Sequence, residues 1–321
     1  MARPPALQSP LTWRDLTWLL VLLGVALAGL LALGATRPFW FDEVFTLGAA
    51  GHFPTIDWGA LRADVHPPGH VIVVSITAAL VDSHGPWVRL LNLLALAALW
   101  VGVWLVGRAL DWPRALVFCA LVLLSGISLS MALEMRAYAL MLGFSMLGHG
   151  LLLHDLLGPR RRWLWAMGAT ALLLGSLHFY GTLVGHALLL SAGVARLWHR
   201  QRLAELWDIV VILILLTGVF AFWAGWFLAG DAFGPRVSWI ALEAQRSGIF
   251  YPLVVLIQFL SQAAPVVVAG FAVWVLRRQQ EMGPVTATTL WILLPTGIVL
   301  CVSAVVGLLT PIVTVKNLIV C

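Results

Sequence analysis

Residues 16–45 have the sequence LTWLLVLLGVALAGLLALGATRPFWFDEVF, in which an apolar run from Leu16 to Ala35 leads directly into two adjacent acids among aromatic rings. A helix of about 20 apolar residues is about 30 Å long, which matches the hydrocarbon thickness of a bilayer. The run is longer than the apolar part of a signal peptide, which has about 7 to 15 residues. This stretch therefore predicts a retained transmembrane helix that delivers an acidic pair to the membrane boundary.

The composition of the whole chain agrees with a membrane protein. Of its 321 residues, 61% are hydrophobic and 10% are charged, whereas a soluble globular protein has about 25% charged residues. The formal charge of +5 comes almost wholly from arginines spread along the chain, rather than from the basic stripe of a nucleic-acid-binding protein. We therefore predict a lipid bilayer as the main partner and no nucleic-acid partner.

Further apolar runs predict one all-α, polytopic transmembrane bundle that occupies residues 1–321. After the first span, the predicted spans are Trp87 to Val106, Arg114 to Met131, Ala139 to Leu157, Trp163 to Leu177, Thr182 to Leu197, Leu206 to Leu228, Leu253 to Leu276 and Val285 to Leu309. The apolar stretch from Gly69 to Val81 would give only about 20 Å of helix, too short for an ordinary crossing. We predict that it forms a re-entrant or interfacial helix.

The distribution of arginines tests that choice, because counting the short stretch as a span would move every later loop to the other side. If the short stretch is not counted as a span, twelve of the nineteen basic residues lie on the cytoplasmic side. If it is counted, only seven do. Cytoplasmic loops are enriched in Lys and Arg, so the first arrangement is favoured. It places the loop 37–86 outside the cell, together with Glu134 to Tyr138 and His178 to Gly181.

The acidic pair Asp42 and Glu43 follows Trp40 and Phe41 at the predicted membrane boundary. Two acids there could simply stabilise the amino terminus of the next helix, where negative charge is favourable. Charged groups beside so many apolar rings are costly, however, and they are more often functional. Partial burial raises the pKa of a carboxyl group and improves it as a general base. Since neighbours on a helix point about 100° apart, we predict separate roles, with one acid taking a proton and the other orienting a partner or holding a divalent cation.

Two basic side chains follow that could bind an anion. His66 is held extended before Pro67, and although a loop histidine is usually only solvated, this one could contact a phosphate or ligate a metal ion. Arg89 lies at the outer start of the second span. It could extend to lipid headgroups, or hold an oxyanion such as a lipid phosphate.

The segment Glu134-Met135-Arg136-Ala137-Tyr138 ends the third predicted span on the same outer face. If it is helical, Glu134 and Tyr138 share one face while Arg136 points elsewhere. The alternative is a local pair between Glu134 and Arg136 at the surface, worth well under 1 kcal/mol. Within the following span, Gly143, Gly148 and Gly150 predict close helix packing.

The order of these motifs resembles that of the GT-C glycosyltransferases. The matching elements are Phe41-Asp42-Glu43, then His66-Pro67-Pro68 before a short apolar helix, then Arg89 opening a span that closes with Gly107-Arg108-Ala109-Leu110, then Glu134-Met135-Arg136-Ala137-Tyr138. The similarity is greatest to the branch of protein O-mannosyltransferases, aminoarabinose transferases and bacterial lipopolysaccharide-core glycosyltransferases. It covers residues 16–200 with ordered motifs and the remainder only through hydropathy.

The resemblance implies a membrane glycosyltransferase. Its donor would be a polyprenyl-phosphate-linked sugar, and its acceptor a glycan, lipid or protein on the outer side of a bacterial plasma membrane, with inversion at the anomeric carbon. Asp42 and Glu43 are the implied catalytic acids, and no certain cofactor is implied, although a divalent metal ion held by Glu43 and His66 stays open. The predicted contacts to the donor phosphate are His66, Arg89, Arg136 and Lys316, and further candidates for the site are Glu134 and Tyr138. Because family members have eleven or more spans and often a soluble carboxy-terminal domain, we expect that this sequence is truncated at its carboxy terminus.

Two other classes of protein would also use a multi-span bundle. A transporter or lipid flippase predicts ionisable residues near the middle of the membrane and repeated halves, whereas here the charged cluster lies at one surface and no halves repeat. A scaffold for envelope assembly needs no acid pair among aromatic rings. We therefore rank the glycosyltransferase first and the transporter second.

Overall fold

The computed structural model describes residues 36–51, 53–62, 66–81, 85–109, 134–158, 160–198, 203–228 and 294–303, together with five helical positions, 17, 21, 25, 29 and 33, of the first predicted span. Over these residues the chain is helical, with short connections and no strand. The predicted spans 114–131 and 253–276, as well as Lys316, lie outside the described residues.

The helices, in chain order, are α1 (Phe41–Ala50), α2 (Trp58–Arg62), α3 (Gly69–Leu80), a 3₁₀ helix (Pro86–Leu91) that continues into α4 (Asn92–Ala109), α5 (Ala137–Leu157), α6 (Arg161–Leu177), α7 (Phe179–Trp198), α8 (Leu203–Leu228) and α9 (Leu294–Ser303). Three stretches among the described residues, Pro86–Ala109, Ala137–Leu157 and Leu206–Trp226, are long and apolar enough to cross a bilayer. The predicted all-α membrane bundle is therefore confirmed. The predicted short helix is also present, since α3 has 12 residues.

Glycines bring α4 and α5 into close contact. A Cβ atom on Gly102 would lie 2.6 Å from the backbone of Met146, and one on Gly150 would lie 2.8 Å from the carbonyl oxygen of Gly102. Gly143 approaches the backbone of Ala95 in the same way, whereas Gly148 faces Leu188 of α7. Without a hydrophobic driving force in lipid, such small residues let helix backbones pack directly, as the sequence predicted.

The remaining long helices complete the bundle around a continuous apolar core. α6 packs against α5, α7 and α8, and α7 also contacts α5 and α8. The short helix α3 packs against both α1 and the 3₁₀ helix, and it also contacts α6. These three short helices lie where α4, α5 and α7 begin and α6 ends, which we call the site end of the bundle.

Two ion pairs join the helices at the opposite end. Arg196 on α7 donates two hydrogen bonds of 2.6 Å to the carboxylate of Asp155 on α5, and both side chains are buried. Arg161 on α6 donates two bonds of 2.7 Å to Asp208 on α8, but the Arg161 side chain is 73% exposed. The first pair is shielded from water, so breaking it by removing its acid should lower the stability of the fold far more than the same change in the second pair.

We predict that Asp155→Ala destabilises the protein by about 3–5 kcal/mol, because it leaves the Arg196 guanidinium buried without a counter-charge. The matched control, Asp208→Ala, leaves only the exposed Arg161 guanidinium without its carboxylate partner and should lower the unfolding temperature much less. Intrinsic tryptophan fluorescence during heating in detergent measures both changes. Equal losses from the two variants would contradict the prediction.

Candidate active site

Glu43 and Arg89 form a buried ion pair at the site end of the bundle. Arg89 donates from Nη2 to Glu43 Oε2 at 2.8 Å and from Nε to Oε1 at 3.3 Å. The guanidinium also donates from Nη1 to the carbonyl oxygen of Arg37 at 2.7 Å and from Nη2 to that of Pro38 at 3.2 Å, and it lies 4.6 Å from the centre of the Phe39 ring. All three guanidinium nitrogens therefore bind groups of the protein.

The Glu43 carboxylate also receives two backbone N–H groups. Trp40 N donates to Oε2 at 3.2 Å, which caps the amino terminus of α1, and Met135 N donates to Oε1 at 2.6 Å. Charge-assisted bonds of this kind are roughly twice as strong as neutral ones. One carboxylate thus ties the chain before α1, the 3₁₀ helix and the segment before α5 to a single point.

The segment 134–136 is a bend rather than a helix, because α5 begins at Ala137 and Arg136 precedes it as an N-cap residue with an extended backbone. Glu134 and Tyr138 therefore do not share a helical face, and the local pair between Glu134 and Arg136 stays a prediction. Glu134 Oε1 lies 3.8 Å from Arg37 Nη2. The backbone carbonyl oxygen of Glu134 accepts a hydrogen bond of 3.1 Å from Asn92 Nδ2. The bonds from Asn92 and to Glu43 fix this segment more firmly than a helical turn at a frayed end would.

Asp42 and Arg136 come together from opposite sides of this arrangement. Arg136 Nη2 lies 3.5 Å from Asp42 Oδ2, and the Asp42 side chain is 40% exposed whereas that of Glu43 is fully buried. The two adjacent acids therefore have different surroundings, as predicted from their angular separation. Glu43 holds the structure together, and Asp42 is the acid that an incoming molecule can reach.

A cleft beside Arg136 is lined by three histidines. Its polar lining consists of Thr46, His66, His70, Arg136, Tyr138 and His178, and we call it the histidine cleft. The ring of His178 lies between those of His66 and Tyr138, with centroid distances of 4.7 and 5.6 Å. The cleft thus brings together three of the predicted site residues, His66, Arg136 and Tyr138.

Gly69 sets how closely α3 approaches α6. A Cβ atom at this position would collide with the backbone carbonyl of Ser176, two residues before His178. The absence of a side chain lets the amino terminus of α3 rest directly on the end of α6. This contact holds His66 and His70 close to His178.

A second, aromatic cleft adjoins the first, and His66 lines both. Its other lining residues are Trp58, Leu61, Pro68, Trp223 and Trp226. The guanidinium of Arg62 lies 5.6 Å from the centre of the Trp226 ring. A polar cleft and an apolar one therefore share a wall at the site end of the bundle.

The surroundings of His178 favour its neutral form. Burial lowers its pKa well below the ordinary 6.5, and the nearby charges of His66, Arg136 and His70 add to that effect. Tyr180 N donates to His178 Nδ1 at 3.1 Å. His178 was not among the predicted site residues, because a single histidine after an apolar run carries no motif.

The predicted divalent metal ion at Glu43 and His66 stays a prediction. In the part of the chain that the structure describes, no group of three or more His, Cys, Asp or Glu side chains could hold a metal ion. Both oxygens of Glu43 accept hydrogen bonds from Arg89 and from backbone amides.

The chain forms a helical membrane bundle with short helices and an acidic pair at one end. Among solved structures, it is similar to ArnT from Cupriavidus metallidurans, crystallised with bound undecaprenyl phosphate, with a TM-score of 0.59 and 20% sequence identity over 95% of this chain and 57% of that one. The chain therefore spans a little over half the length of ArnT, and it shares the fold of that protein. Comparisons with protein-family models and with curated proteins give no match.

We predict that Glu43→Gln lowers the stability by about 3–5 kcal/mol, because the buried Arg89 charge then lacks its partner. The double variant Glu43→Gln/Arg89→Met removes that charge as well and should recover part of the loss. Thermal unfolding of the four proteins in the double-mutant cycle measures the coupling. A double variant less stable than Glu43→Gln would show that the pair is not the source of the effect.

The lowered pKa of His178 predicts a loss of stability in acid. Below about pH 6.5 the unfolded chain takes up a proton at this histidine while the folded protein does not, so acidification favours unfolding by at most about 1.4 kcal/mol per pH unit. His178→Asn removes the titrating group but keeps an acceptor for Tyr180 N, and His66, His70, Arg136 and Tyr138 remain in both proteins. Unfolding temperatures between pH 7 and pH 5 should therefore fall more steeply for the parent protein. Identical slopes would contradict this account.

Proposed function

We propose that this protein is a glycosyltransferase that moves a sugar from a polyprenyl-phosphate donor to an acceptor hydroxyl on the extracytoplasmic side of the membrane, with inversion. The observation that supports it most directly is the meeting of Asp42 and Arg136 beside the histidine cleft. It puts one accessible carboxylate next to one guanidinium. This occurs in a fold shared with ArnT, which binds undecaprenyl phosphate in its crystal structure.

The reaction is a single displacement at the anomeric carbon. Asp42 accepts the proton of the acceptor hydroxyl, and the hydroxyl oxygen forms a bond to the sugar carbon. The bond between that carbon and the phosphate oxygen breaks, and its electron pair leaves with the polyprenyl phosphate. A charged phosphate needs no covalent catalysis to leave, so the protein supplies mainly position and charge.

Arg136 is the cation best placed to stabilise the departing phosphate. It lies within 3.5 Å of Asp42, lines the cleft, and is partly exposed. A guanidinium binds phosphate oxygens in a fixed, two-pronged geometry. His66 lines the same cleft and completes the predicted phosphate contacts on this side.

Arg89 takes a different role in this proposal from the phosphate contact that its motif implies. Its donors bind Glu43 and the carbonyl oxygens of Arg37 and Pro38. We propose that Arg89 positions the loop that carries Asp42. Lys316 remains a proposed phosphate contact that lies outside the described residues.

The two adjoining clefts suit an amphipathic donor. The histidine cleft offers a cation and hydrogen-bonding side chains to a phosphate and sugar, whereas the aromatic cleft offers tryptophan rings to the first units of an isoprenoid chain. Binding sites of this kind combine apolar walls with a few polar groups that fix orientation.

We predict that Asp42→Asn lowers transfer at least about 100-fold, because it removes the general base. Asparagine can still accept a hydrogen bond from Arg136, so the local structure should persist. The assay uses proteoliposomes with undecaprenyl-phosphate-linked hexoses and 4-amino-4-deoxy-L-arabinose, a cell-envelope extract as acceptor, and mass spectrometry of the undecaprenyl phosphate released.

The matched control is Asp57→Asn in the same loop. Asp57 is exposed and accepts a bond of 2.9 Å from Ala60 N, which asparagine can also accept. Its transfer rate should equal that of the parent protein. Retained transfer in Asp42→Asn would refute the assignment of the base, and intact donor appearing in the opposite leaflet without released undecaprenyl phosphate would favour a flippase instead.

A further inference from the structure

We propose that His178 is a further ligand-binding residue, whose Nε2–H group donates a hydrogen bond to a phosphate oxygen of the polyprenyl-phosphate donor. This inference rests on the proposed function, since it names a contact within the same site. It starts from the position of His178 between two helices and from the different surroundings of its two ring nitrogens.

One ring nitrogen has a structural role. His178 follows α6 and directly precedes α7, and its Nδ1 atom accepts the bond of 3.1 Å from Tyr180 N. An acceptor at this point satisfies one of the N–H groups that every helix leaves unpaired at its amino terminus. A neutral imidazole with an accepting Nδ1 carries its proton on Nε2.

The other ring nitrogen is a buried donor. Among the residues that the structure describes, Nε2 of His178 has no hydrogen-bond partner, and the residue is only 6% exposed. Leaving a buried donor unpaired costs roughly 1–3 kcal/mol, so proteins retain such groups rarely. Helix capping needs only Nδ1 and does not account for Nε2.

The neighbours of His178 indicate the kind of ligand that would satisfy it. The ring lines the histidine cleft together with Arg136, whose guanidinium brings a positive charge, and with the hydroxyl-bearing side chains of Thr46 and Tyr138. An Nε2–H group needs an acceptor, and the adjacent cation favours an anionic one. A phosphate oxygen meets both conditions.

Two substitutions separate the roles of the two nitrogens. Asparagine at position 178 can accept from Tyr180 N and is among the best residues at the start of a helix, but it does not reach as far as Nε2. Glutamine is longer and can place an amide N–H near the position of Nε2. His178→Asn therefore keeps the helix cap and loses the distal donor, whereas His178→Gln keeps the donor.

The test measures binding of undecaprenyl phosphate to the full chain in nanodiscs, with undecaprenol as the matched lipid without phosphate. We expect His178→Asn to bind undecaprenyl phosphate about ten- to a hundredfold more weakly than the parent protein, and His178→Gln to stay within about threefold of it. Undecaprenol should bind all three proteins equally. Unchanged affinity of His178→Asn for undecaprenyl phosphate would overturn the inference, as would an equal loss of affinity for undecaprenol.

A measurement on the unsubstituted protein keeps the inference testable if a variant does not fold. Nitrogen-15 NMR of labelled histidines should show His178 as the Nε2–H tautomer, with its Nε2 resonance moving when undecaprenyl phosphate is added. A resonance that does not move would overturn the inference. Because binding is measured without transfer, a protein that binds as expected but transfers no sugar would refute the proposed function alone.

Discussion

Glu43 and Arg89 form an ion pair that is removed from water, and the geometry of the whole site end follows from the need to satisfy it. Two buried charges are tolerated only when their remaining hydrogen-bonding groups also find partners. Here those partners are the backbone amides of Trp40 and Met135 and the carbonyl oxygens of Arg37 and Pro38. Satisfying the pair therefore fixes three segments that are far apart in the chain. The approach of Arg136 to Asp42 is a consequence of that constraint.

The histidine cleft depends on a second constraint, which is steric rather than electrostatic. Gly69 lets α3 rest on the carbonyl of Ser176, and this brings His66 next to His178 at the junction of α6 and α7. The histidines are held by backbone contact between two helices of the bundle, whereas Asp42 is held through its neighbour in sequence. The acid and the cleft are thus positioned by separate parts of the fold, and the side chains of Arg136 and Thr46 touch both.

The sequence predicted those features that depend on local pattern. Apolar runs gave α4, α5 and α8, the short run gave α3, and the angular separation of Asp42 and Glu43 gave their different surroundings. Features that depend on contacts distant in sequence were missed. Arg196 and Asp155 are 41 residues apart, and no local pattern links them. The sequence leaves open whether the segment before α5 is helical, because propensity does not show that Asn92 and Glu43 bind its backbone. His178 had no motif to mark it.

In the proposed function, the neighbouring positions 42 and 43 divide folding from chemistry in a way that would be visible in evolution. Glu43 cannot change without leaving a buried arginine without its partner, whereas the contacts of Asp42 with described residues are the ion pair with Arg136 and the bond from Thr46 to its backbone carbonyl. A descendant that kept this architecture as a lipid-binding or assembly subunit but abandoned group transfer would be free to replace the first acid and obliged to keep the second. Paralogues that lack transfer activity would be recognisable by a glutamate at the position of Glu43, preceded by a residue that cannot accept a proton.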